Sequence, residues 1–311
     1  MSAPGCFDPA TSPVLVITGP TATGKTHLAV EMARRFNGEI ISADSRQLYR
    51  GLDIGTGKDL EEYTVDGVTI RSHLIDVAEP DCRFDLFRYL ELARAALRDI
   101  AAAGKLPVVC GGTPLYVSAL LNGYDMIGGQ PDEALRNELE SKDLIALIGI
   151  LRQSASPELI ARTDLSQKRR VIRAIEIARH PECSVPSCPL LNAIILAPHF
   201  TRAEVRERIA VRLEQRLRQG MMDEVRRLHD ERGISWEQLD WFGLEYRYIS
   251  RCLQGLCSYG EMYEQLLNHI RQFARRQDIW FRKLEREGHR IHWIEHGNAE
   301  EAAEAVRTFL G

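Results

Sequence analysis

The sequence predicts an α/β fold, a mostly parallel β-sheet flanked by helices, with a small helical insertion and a helix-rich C-terminal half. Three observations support this class. Short apolar runs alternate with amphipathic stretches up to residue 122, as in proteins whose parallel strands are connected by helices. Between residues 123 and 166 only helical stretches are indicated. Strand signals return at residues 193–197 and 290–294, among long helical segments.

These patterns divide the chain into four segments. Residues 1–13 are a disordered N-terminus, residues 14–122 the first part of the α/β core, residues 123–166 the insertion, and residues 167–311 the remainder of the core with added helices. The bulk properties fit a folded cytoplasmic protein. The net charge is −4, and no run of 18 apolar residues or secretion signal is present. The seven cysteines follow no zinc-binding spacing, which favours reduced thiols.

A phosphate-binding loop follows the first predicted strand. Residues 19–26, GPTATGKT, match the pattern G-x-x-x-x-G-K-[ST] at every fixed position. They lie between a buried strand, residues 14–17, and a helix, residues 27–35, so backbone N–H groups and the helix N-terminus would face an anion. Lys25 would reach a terminal phosphate and Thr26 would bind Mg²⁺. The pattern predicts a P-loop NTPase-like core, and the alternative is a glycine-rich turn that binds no ligand. It does not indicate which molecule carries the bound phosphate.

The second predicted strand, residues 39–42, leads into a loop that begins with an acidic residue, Asp44. Because ligands of open α/β sheets bind beyond the carboxyl ends of the strands, Asp44 and Lys25 would share one crevice. Asp44 could hold Mg²⁺ through water, act as a base, or only cap a turn. The glycine-rich residues 51–58 indicate a flexible loop, in which Lys58 is a possible phosphate contact.

Two further strands are predicted at residues 69–77 and 107–110, separated by an amphipathic helix over residues 84–103 that ends at Gly104. Two glycines follow the second of these strands, and they allow the backbone to approach a ligand closely. The next residue, Thr113, would cap the following helix or touch that ligand.

The basic residues of the second half are concentrated on three predicted helices, over residues 167–179, 201–218 and 259–286. The middle helix carries three arginines spaced four apart: Arg208, Arg212 and Arg216. They share one face, which either directs positive charge at the crevice or is a solvated face paired with glutamates. The last helix interleaves arginines with aromatic residues, a pattern typical of a core stripe that can also hold a nucleic-acid backbone.

In combination these motifs resemble one family, the bacterial tRNA isopentenyltransferases, also called tRNA dimethylallyltransferases. The resemblance extends over about residues 14–296. The matching segments are residues 19–26, 41–56 (ISADSRQLYRGLDIGT), 73–76 (HLID), 111–116 (GGTPLY), 173–177, 224–228, 246–247 and 275–282. Residues 41–56 are the most specific, since other nucleotide kinases do not carry them in this form.

The resemblance implies transfer of a dimethylallyl group from dimethylallyl diphosphate to N6 of adenosine 37, in tRNAs that read codons beginning with U. Mg²⁺ is the implied cofactor, and Asp44 would accept the N6 proton. The implied catalytic residues are Asp44, Lys25, Thr23 and Arg212. The implied diphosphate ligands are Gly19, Pro20, Thr21, Ala22, Thr23, Gly24, Lys25, Thr26 and Arg208, with Thr26 also on the metal.

The family also implies a set of contacts to the anticodon stem-loop of tRNA. They are Asp44, Ser45, Arg46, Gln47, Thr113, Arg169, Arg170, Arg173, Tyr246, Arg247, Arg275, Arg276, Gln277, Trp280 and Arg282. The sequence departs from the family pattern at Pro114 and Glu245, where the family usually has glycine. We expect a cytoplasmic monomer that does not bind a membrane.

Three other functions fit parts of the pattern. A prenyltransferase for free adenosine phosphates would share the crevice but would not need the arginine-rich helices of residues 200–290. A P-loop small-molecule kinase would need ATP and a pocket for its base. A non-enzymatic RNA-binding relative would not need Lys25, Thr26 and Asp44 together.

Overall fold

The structure is a computed structural model that describes residues 7–123, 132–179 and 190–311. It contains two compact units. The first is formed by residues 1–121 and 190–311, and the second by residues 122–189. Within the described ranges no helix is long and apolar enough to cross a membrane.

The strands of the described residues are β1 (Val14–Ile17), β2 (Gly38–Ser42), β3 (Thr64–Val65), β4 (Val68–Thr69), β5 (Ser72–His73), β6 (Leu106–Cys110), β7 (Ala193–His199) and β8 (Ile291–Glu295). The helices are α1 (Lys25–Arg35), α2 (Leu86–Ala102), α3 (Pro114–Leu121), α4 (Glu133–Glu140), α5 (Leu144–Ser154), α6 (Pro157–Arg162), α7 (Lys168–Arg179), α8 (Arg202–Arg218), α9 (Met221–Asp230), α10 (Trp236–Trp241), α11 (Leu244–Leu253), α12 (Tyr259–Arg286) and α13 (Ala299–Leu310). The helices predicted over residues 27–35, 84–103, 167–179, 201–218 and 259–286 are all present within a few residues, whereas α3, α6 and α9 to α11 had no predicted bounds.

A six-stranded parallel sheet forms the centre of the first unit, in the order β5-β2-β6-β1-β7-β8, which confirms the predicted fold class. Strands β1, β2 and β6 are buried along their whole length. Burial on both faces explains why β1 and β6 read as apolar runs, while β2 also buries Glu39, which pairs with His73 and Lys105. They are neighbours and run in the same direction, with Ile17 beside Cys110 and Ser42 beside Cys110. The loops that follow these three strands therefore meet at one edge of the sheet.

Helices α1 and α13 pack together and help to form the core of this unit. Leu28 and Met32 of α1 and Val306 of α13 are buried in one cluster with Leu15 and Ile17 of β1. Each fully buried side chain of this size contributes about 1.5–3 kcal/mol relative to exposure. This packing holds the start of α1 directly behind the loop that precedes it.

The predicted strand over residues 69–77 is wrong in most of its length. Only β5 pairs with the sheet, with His73 beside Ile41 of β2, while β4 pairs with β3 in a separate antiparallel hairpin. Leu74 and Asp76 adopt φ angles of 62° and 55°, which no extended strand tolerates. The apolar run therefore ends in a turn just after two residues of strand.

Residues 51–58 are tied down, contrary to the prediction of a flexible loop. The carboxylate of Glu224 on α9, 3% exposed, accepts backbone N–H groups from three successive residues. They are Asp53 at 3.1 Å, Ile54 at 2.6 Å and Gly55 at 3.0 Å. The hydroxyl of Tyr246 on α11 donates to the same carboxylate at 2.8 Å. One buried anion thus joins this loop to two helices.

Lys58 is likewise part of the interior and not a phosphate contact. Its side chain is 1% exposed, and its ammonium donates to the carbonyl of Tyr49 and to Asp53, both at 2.7 Å. A third bond goes to Asp76, at the end of the turn after β5. All three N–H donors of the ammonium are therefore used within the protein.

The second unit contains α4 to α7 around its own apolar cluster, which includes Leu139, Leu147 and Leu151. Helix α7 contributes Val171 and Ile175 to that cluster. The sequence pattern assigns this helix to the core and ends the insertion at residue 166, whereas α7 belongs to the second unit. The reason is that the apolar face of α7 completes a core that α4 to α6 could not enclose.

Candidate active site

A cavity of about 830 Å³ opens at the carboxyl edge of the sheet in the first unit. Its walls come from the loops after β1, β2 and β6, from residues 55–63, from one face of α8, from the start of α11 and from the middle of α12. The lining includes most of the predicted phosphate loop together with Asp44, Thr113, Arg208 and Arg212. The structure therefore brings together residues that lie up to 256 positions apart in the chain.

The phosphate loop, residues 18–24, closes on itself. The hydroxyl of Thr23 and the ammonium of Lys25 both donate to the carbonyl of Pro20, at 2.9 Å and 2.7 Å. Ala22 and Gly24 have positive φ angles of 64° and 80°, which turn the chain into the first residue of α1. The free amides of that helix end carry partial positive charge towards the cavity.

Lys25 is the cation nearest to the loop. Burial and, to a smaller extent, the charge of Arg212 lower the pKa of its ammonium to about 8, against smaller opposing effects of Cys110 and Asp44. An anion bound in the loop would restore the charged form. A buried ammonium with a lowered pKa at a cavity wall is typical of a site that binds an anionic ligand.

The arginines of α8 face the same space. The Nε of Arg208 donates to the carbonyl of Ala22 at 2.8 Å, and its guanidinium lies 4.3 Å from the centre of the Phe200 ring. Arg212 is 3.5 Å from the hydroxyl of Thr21. Two residues of the phosphate loop, Thr21 and Ala22, are thus in direct contact with α8. Arg212 also lines the cavity.

Two further members of this cluster are Arg216, which the sequence indicated only as part of the arginine face of α8, and Asp59, which sequence reasoning missed. Arg216 is 8% exposed and lies 3.3 Å from a carboxylate oxygen of Asp59, which is also 3.6 Å from Arg212. Burial and the neighbouring Arg216 lower the pKa of Arg212 to about 10. The spacing of four residues between the arginines was the available signal for Arg216, whereas nothing in the sequence marked Asp59.

Asp44 lies at the end of β2, where its carboxylate accepts the backbone N–H of Arg46 at 2.8 Å and also lines the cavity. The capping and the functional interpretations are therefore compatible. The next amide, of Ser45, donates to the hydroxyl of Thr113 at 2.9 Å. The guanidinium of Arg46 lies 4.5 Å from the centre of the Trp241 ring.

Two predicted tRNA contacts near this loop are engaged inside the protein. Gln47 accepts the hydroxyl of Ser42 at 3.0 Å and donates to the carbonyl of Gly57 at 2.9 Å. Gln277 on α12 is 3% exposed, and both ends of its amide contact the backbone of the cavity wall. As placed, both amides hold the site together.

Residues at the start of α11 differ from one another. Tyr246 is 1% exposed and bound to Glu224, so it offers no surface to RNA, contrary to the prediction. Arg247 is partly exposed and donates to Asp240 at 2.9 Å. Glu245 lines the cavity, and burial raises the pKa of its carboxyl despite the nearby arginines Arg216 and Arg212.

The predicted RNA contacts on the second half of α12 lie at the surface. Arg275, Arg276 and Arg282 are exposed, and none of them forms an ion pair with another residue in the described part of the chain. Trp280 is half-buried, edge-on to Phe281. Two of these arginines line a second cavity of about 1140 Å³ in the same unit. Its other arginines are Arg202, Arg206 and Arg271.

The remaining predicted contacts belong to the second unit. Arg169 is exposed. Arg170 pairs with Asp164 at 2.9 Å, and Arg173 pairs with the buried Glu176 at 3.0 Å. A binding role for these three arginines stays a prediction.

Comparison with known proteins identifies the family. The model of the IPP transferase family matches residues 47–284, and the model of the isopentenyl transferase family matches residues 12–77. The chain belongs to the IPP transferase family. The resemblance found in the sequence is thereby confirmed, and the protein is a transferase.

Relatives of known name agree with this family over nearly the whole chain. The tRNA dimethylallyltransferase 1 of Syntrophus aciditrophicus is 45% identical, over 96% of this chain and 98% of its own length. The tRNA dimethylallyltransferase 2 of Citrifermentans bemidjiense is 46% identical over 94% of both chains. The crystal structure of the full-length tRNA isopentenylpyrophosphate transferase of Bacillus halodurans has a TM-score of 0.70 to this one, at 32% identity, and covers 96% of this chain and 97% of that one.

Proposed function

We propose that the protein transfers the dimethylallyl group of dimethylallyl diphosphate to N6 of adenosine 37 in tRNAs that read codons beginning with U, and releases diphosphate. The observation that carries the proposal is the convergence of Lys25, Arg212 and Asp44 on one cavity behind the phosphate loop. The names of relatives that are about 45% identical support the tRNA substrate. Because tRNA is used in the cytoplasm, we propose that location as well.

The donor diphosphate would bind at the phosphate loop. The amides at the start of α1, the ammonium of Lys25 and the guanidinium of Arg212 form a cluster of positive groups at the base of the cavity. When the bond between the allylic carbon and the diphosphate oxygen breaks, negative charge grows on the leaving group. Fixed positive groups in a site with little water stabilise that charge strongly. Asp59, 3.6 Å from Arg212, would compete with the free diphosphate for that guanidinium and so favour its release.

The acceptor nitrogen would approach from the side of Asp44. The new bond joins N6 to the allylic carbon, and the proton lost from N6 passes to the Asp44 carboxylate, which makes the amine a better nucleophile. The hydrogen bond from Arg46 holds one oxygen of Asp44 in place. To reach the cavity the base must leave the anticodon-loop stack, as with other enzymes that modify bases.

Mg²⁺ fits the donor side of the cavity through the hydroxyl of Thr26. Thr26 lines the cavity, while the hydroxyl of Thr23 is buried and already donates to Pro20. Among the described residues no group of three or more His, Cys, Asp and Glu side chains is arranged to hold a metal ion. The diphosphate itself would therefore complete the coordination, and the ion would supply charge neutralisation to the leaving group.

The exposed arginines of α12 would hold the phosphates of the RNA. Arg275, Arg276 and Arg282 are free of internal ion pairs within the described ranges, so they can neutralise a nucleic-acid backbone although the net charge of the chain is −4. The net negative charge of the chain would oppose indiscriminate binding of nucleic acids.

A transfer assay tests the proposal. The purified protein is incubated with Mg²⁺, radiolabelled dimethylallyl diphosphate and one of three acceptors: an unmodified tRNA with adenosines at positions 36 to 38, the same tRNA with adenosine 37 replaced, or AMP. Label in the first tRNA alone supports the proposal, and a panel of tRNAs then tests the codon class. Label in AMP alone indicates a free-nucleotide prenyltransferase. Label in no acceptor, together with consumption of ATP in a parallel incubation that contains it, indicates a kinase.

A further inference from the structure

Gln277 joins three parts of the first unit that are distant in the sequence. Its side-chain NH₂ donates to the carbonyl of Gly112, in the loop after β6, at 2.9 Å. Its side-chain oxygen accepts the backbone N–H of Thr21, in the phosphate loop, at 2.9 Å. The partners lie 165 and 256 positions away in the chain. With only 3% of the residue exposed, these bonds form largely away from water.

The chemistry of the contact selects an amide. One partner is a donor and the other an acceptor, so the linking side chain must accept at one end and donate at the other. Glutamate when ionised can only accept, and methionine of similar length can do neither. The fit is also close, because a Cβ added at Gly112 would lie 3.1 Å from the amide nitrogen of Gln277. A side chain that lacks either the donor or the acceptor would leave a buried N–H or C=O group unpaired, which costs free energy.

The contact acts on the part of the loop that faces Arg212. Thr21 is bound through its amide to Gln277 and through its hydroxyl to Arg212 at 3.5 Å. Helices α12 and α8 thus hold the same residue from two directions. If the bond to Gln277 is lost, the amide of Thr21 is free to rotate, and the loop that surrounds the leaving group loses one of its fixed points.

We propose that Gln277 is a positioning residue for the diphosphate site, which fixes the phosphate loop against α12 and the loop after β6. This role replaces the tRNA contact that the sequence indicated for the same residue. It rests on the proposed function only in naming diphosphate as the ligand of the loop, and the binding of that anion can be measured without any transfer.

The decisive variant is Gln277→Glu, studied between pH 5.5 and 8.5. A protonated glutamic acid can donate to Gly112 and accept from Thr21 as glutamine does, whereas the ionised form repels both the Gly112 carbonyl and the anion. Inorganic diphosphate with Mg²⁺ is the probe, and its dissociation constant is measured by calorimetry for variant and parent. We expect a loss of about 10-fold or more at pH 8.5, and a ratio of variant to parent that approaches one as the pH falls.

Three controls separate positioning from general damage. Gln277→Met removes both bonds, so it should bind diphosphate more weakly by a similar factor at every pH. Gln265→Glu places the same charge on an exposed residue of α12 and should bind diphosphate as the parent does. In the transfer assay, Gln277→Glu should raise the KM for dimethylallyl diphosphate and leave the KM for tRNA unchanged. Circular dichroism reports whether each variant is folded, and Gln277→Met replaces Gln277→Glu if the latter is not.

The outcomes are distinct. Parent-like diphosphate affinity of Gln277→Glu at pH 8.5, or a defect confined to the KM for tRNA, overturns the proposal and returns Gln277 to the set of RNA contacts. A loss of affinity that does not change with pH for Gln277→Glu also overturns it. If the parent binds diphosphate but transfers nothing to tRNA, the proposed function fails while the test of Gln277 is still decided by the binding data.

Discussion

Helices α8 and α12 both carry arginines at regular spacing, but the two sets lie in different surroundings. On α8, Arg216 is 8% exposed and shares Asp59 with Arg212. On α12, Arg275 and Arg276 are exposed and have no ion-pair partner among the residues that the structure describes. Both helices are rich in arginine in the sequence, and this feature does not distinguish a buried arginine from a solvated one.

The difference in surroundings predicts a difference in function. A charge taken partly out of water interacts strongly with a neighbouring ion and is little affected by salt. An exposed charge acts weakly on any one partner but adds to the attraction of a polyanion, and that attraction falls steeply with salt. We therefore expect the arginines of α8 to act on the reaction and those of α12 to act on RNA affinity.

The largest loss of activity should come from replacing Asp44, the residue proposed to accept the N6 proton. Asp44→Asn keeps an oxygen for the amide of Arg46 but removes the base, so we expect transfer to fall by about 10²–10⁴-fold. Affinity for tRNA, measured by filter binding, should not change because no phosphate contact is lost. Turnover close to that of the parent would mean that Asp44 serves only as a cap.

Next in size is the loss of Arg212, a partly buried arginine that lines the cavity. Arg212→Ala should lower kcat by about 10²–10³-fold, since it removes a positive group that faces the leaving diphosphate. Arg218→Ala is the matched control on the same helix, because Arg218 is exposed and pairs with Glu214. If both variants lose equal activity, the contrast between buried and exposed arginines on α8 is wrong.

The pH dependence tests the other cation of the site. The pKa of Lys25 is lowered to about 8, so above that pH the free protein loses a positive charge from the phosphate loop. We expect kcat/KM for the donor to fall about 10-fold per pH unit in that range. In Lys25→Arg the charge persists, so this decline should disappear even though the variant is slower. A decline that persists in Lys25→Arg would assign the titration to another group.

The smallest effect should come from a single exposed arginine. Arg276→Ala should weaken tRNA binding by several-fold and reduce the slope of log affinity against log salt by about 1, with kcat unchanged at saturating tRNA. Arg307→Ala, on α13 and paired with Glu304, is the control and should leave both quantities as they are. An unaltered slope in Arg276→Ala would show that α12 does not meet the RNA backbone.

The part of the site that sequence could reveal is the part defined by local pattern. The loop of residues 19–26 was predictable because its glycines and Lys25 form a local pattern that serves one ligand, a phosphate. The buried strands before this loop and before Asp44 were also predictable, and they place both at the same edge of the sheet. Asp59 and Glu224 were not predictable in the same way. Their roles depend on partners more than 150 positions away, which no local spacing encodes.

Two failures have a common physical cause. Lys58 was predicted as a possible phosphate contact because it ends a glycine-rich stretch, and Tyr246 as an RNA contact because the family resemblance implies it. Both are buried, since Asp76 and Glu224 supply the ionic and hydrogen-bond partners that make burial tolerable. The strand predicted at residues 69–77 failed for a related reason. Its apolar residues are buried by a turn at Leu74, not by pairing.

The buried carboxylate of Glu224 affects how fast the backbone amides bound to it exchange with solvent. The amides of Asp53, Ile54 and Gly55 point at that buried anion, so their hydrogens should exchange with deuterated solvent as slowly as those of a central strand. A glycine-rich connection of this kind would normally exchange within seconds. Any rearrangement that admits substrates must therefore occur elsewhere in the cavity wall, and a deuterium-uptake map would show this stretch as a protected island beside more labile neighbours.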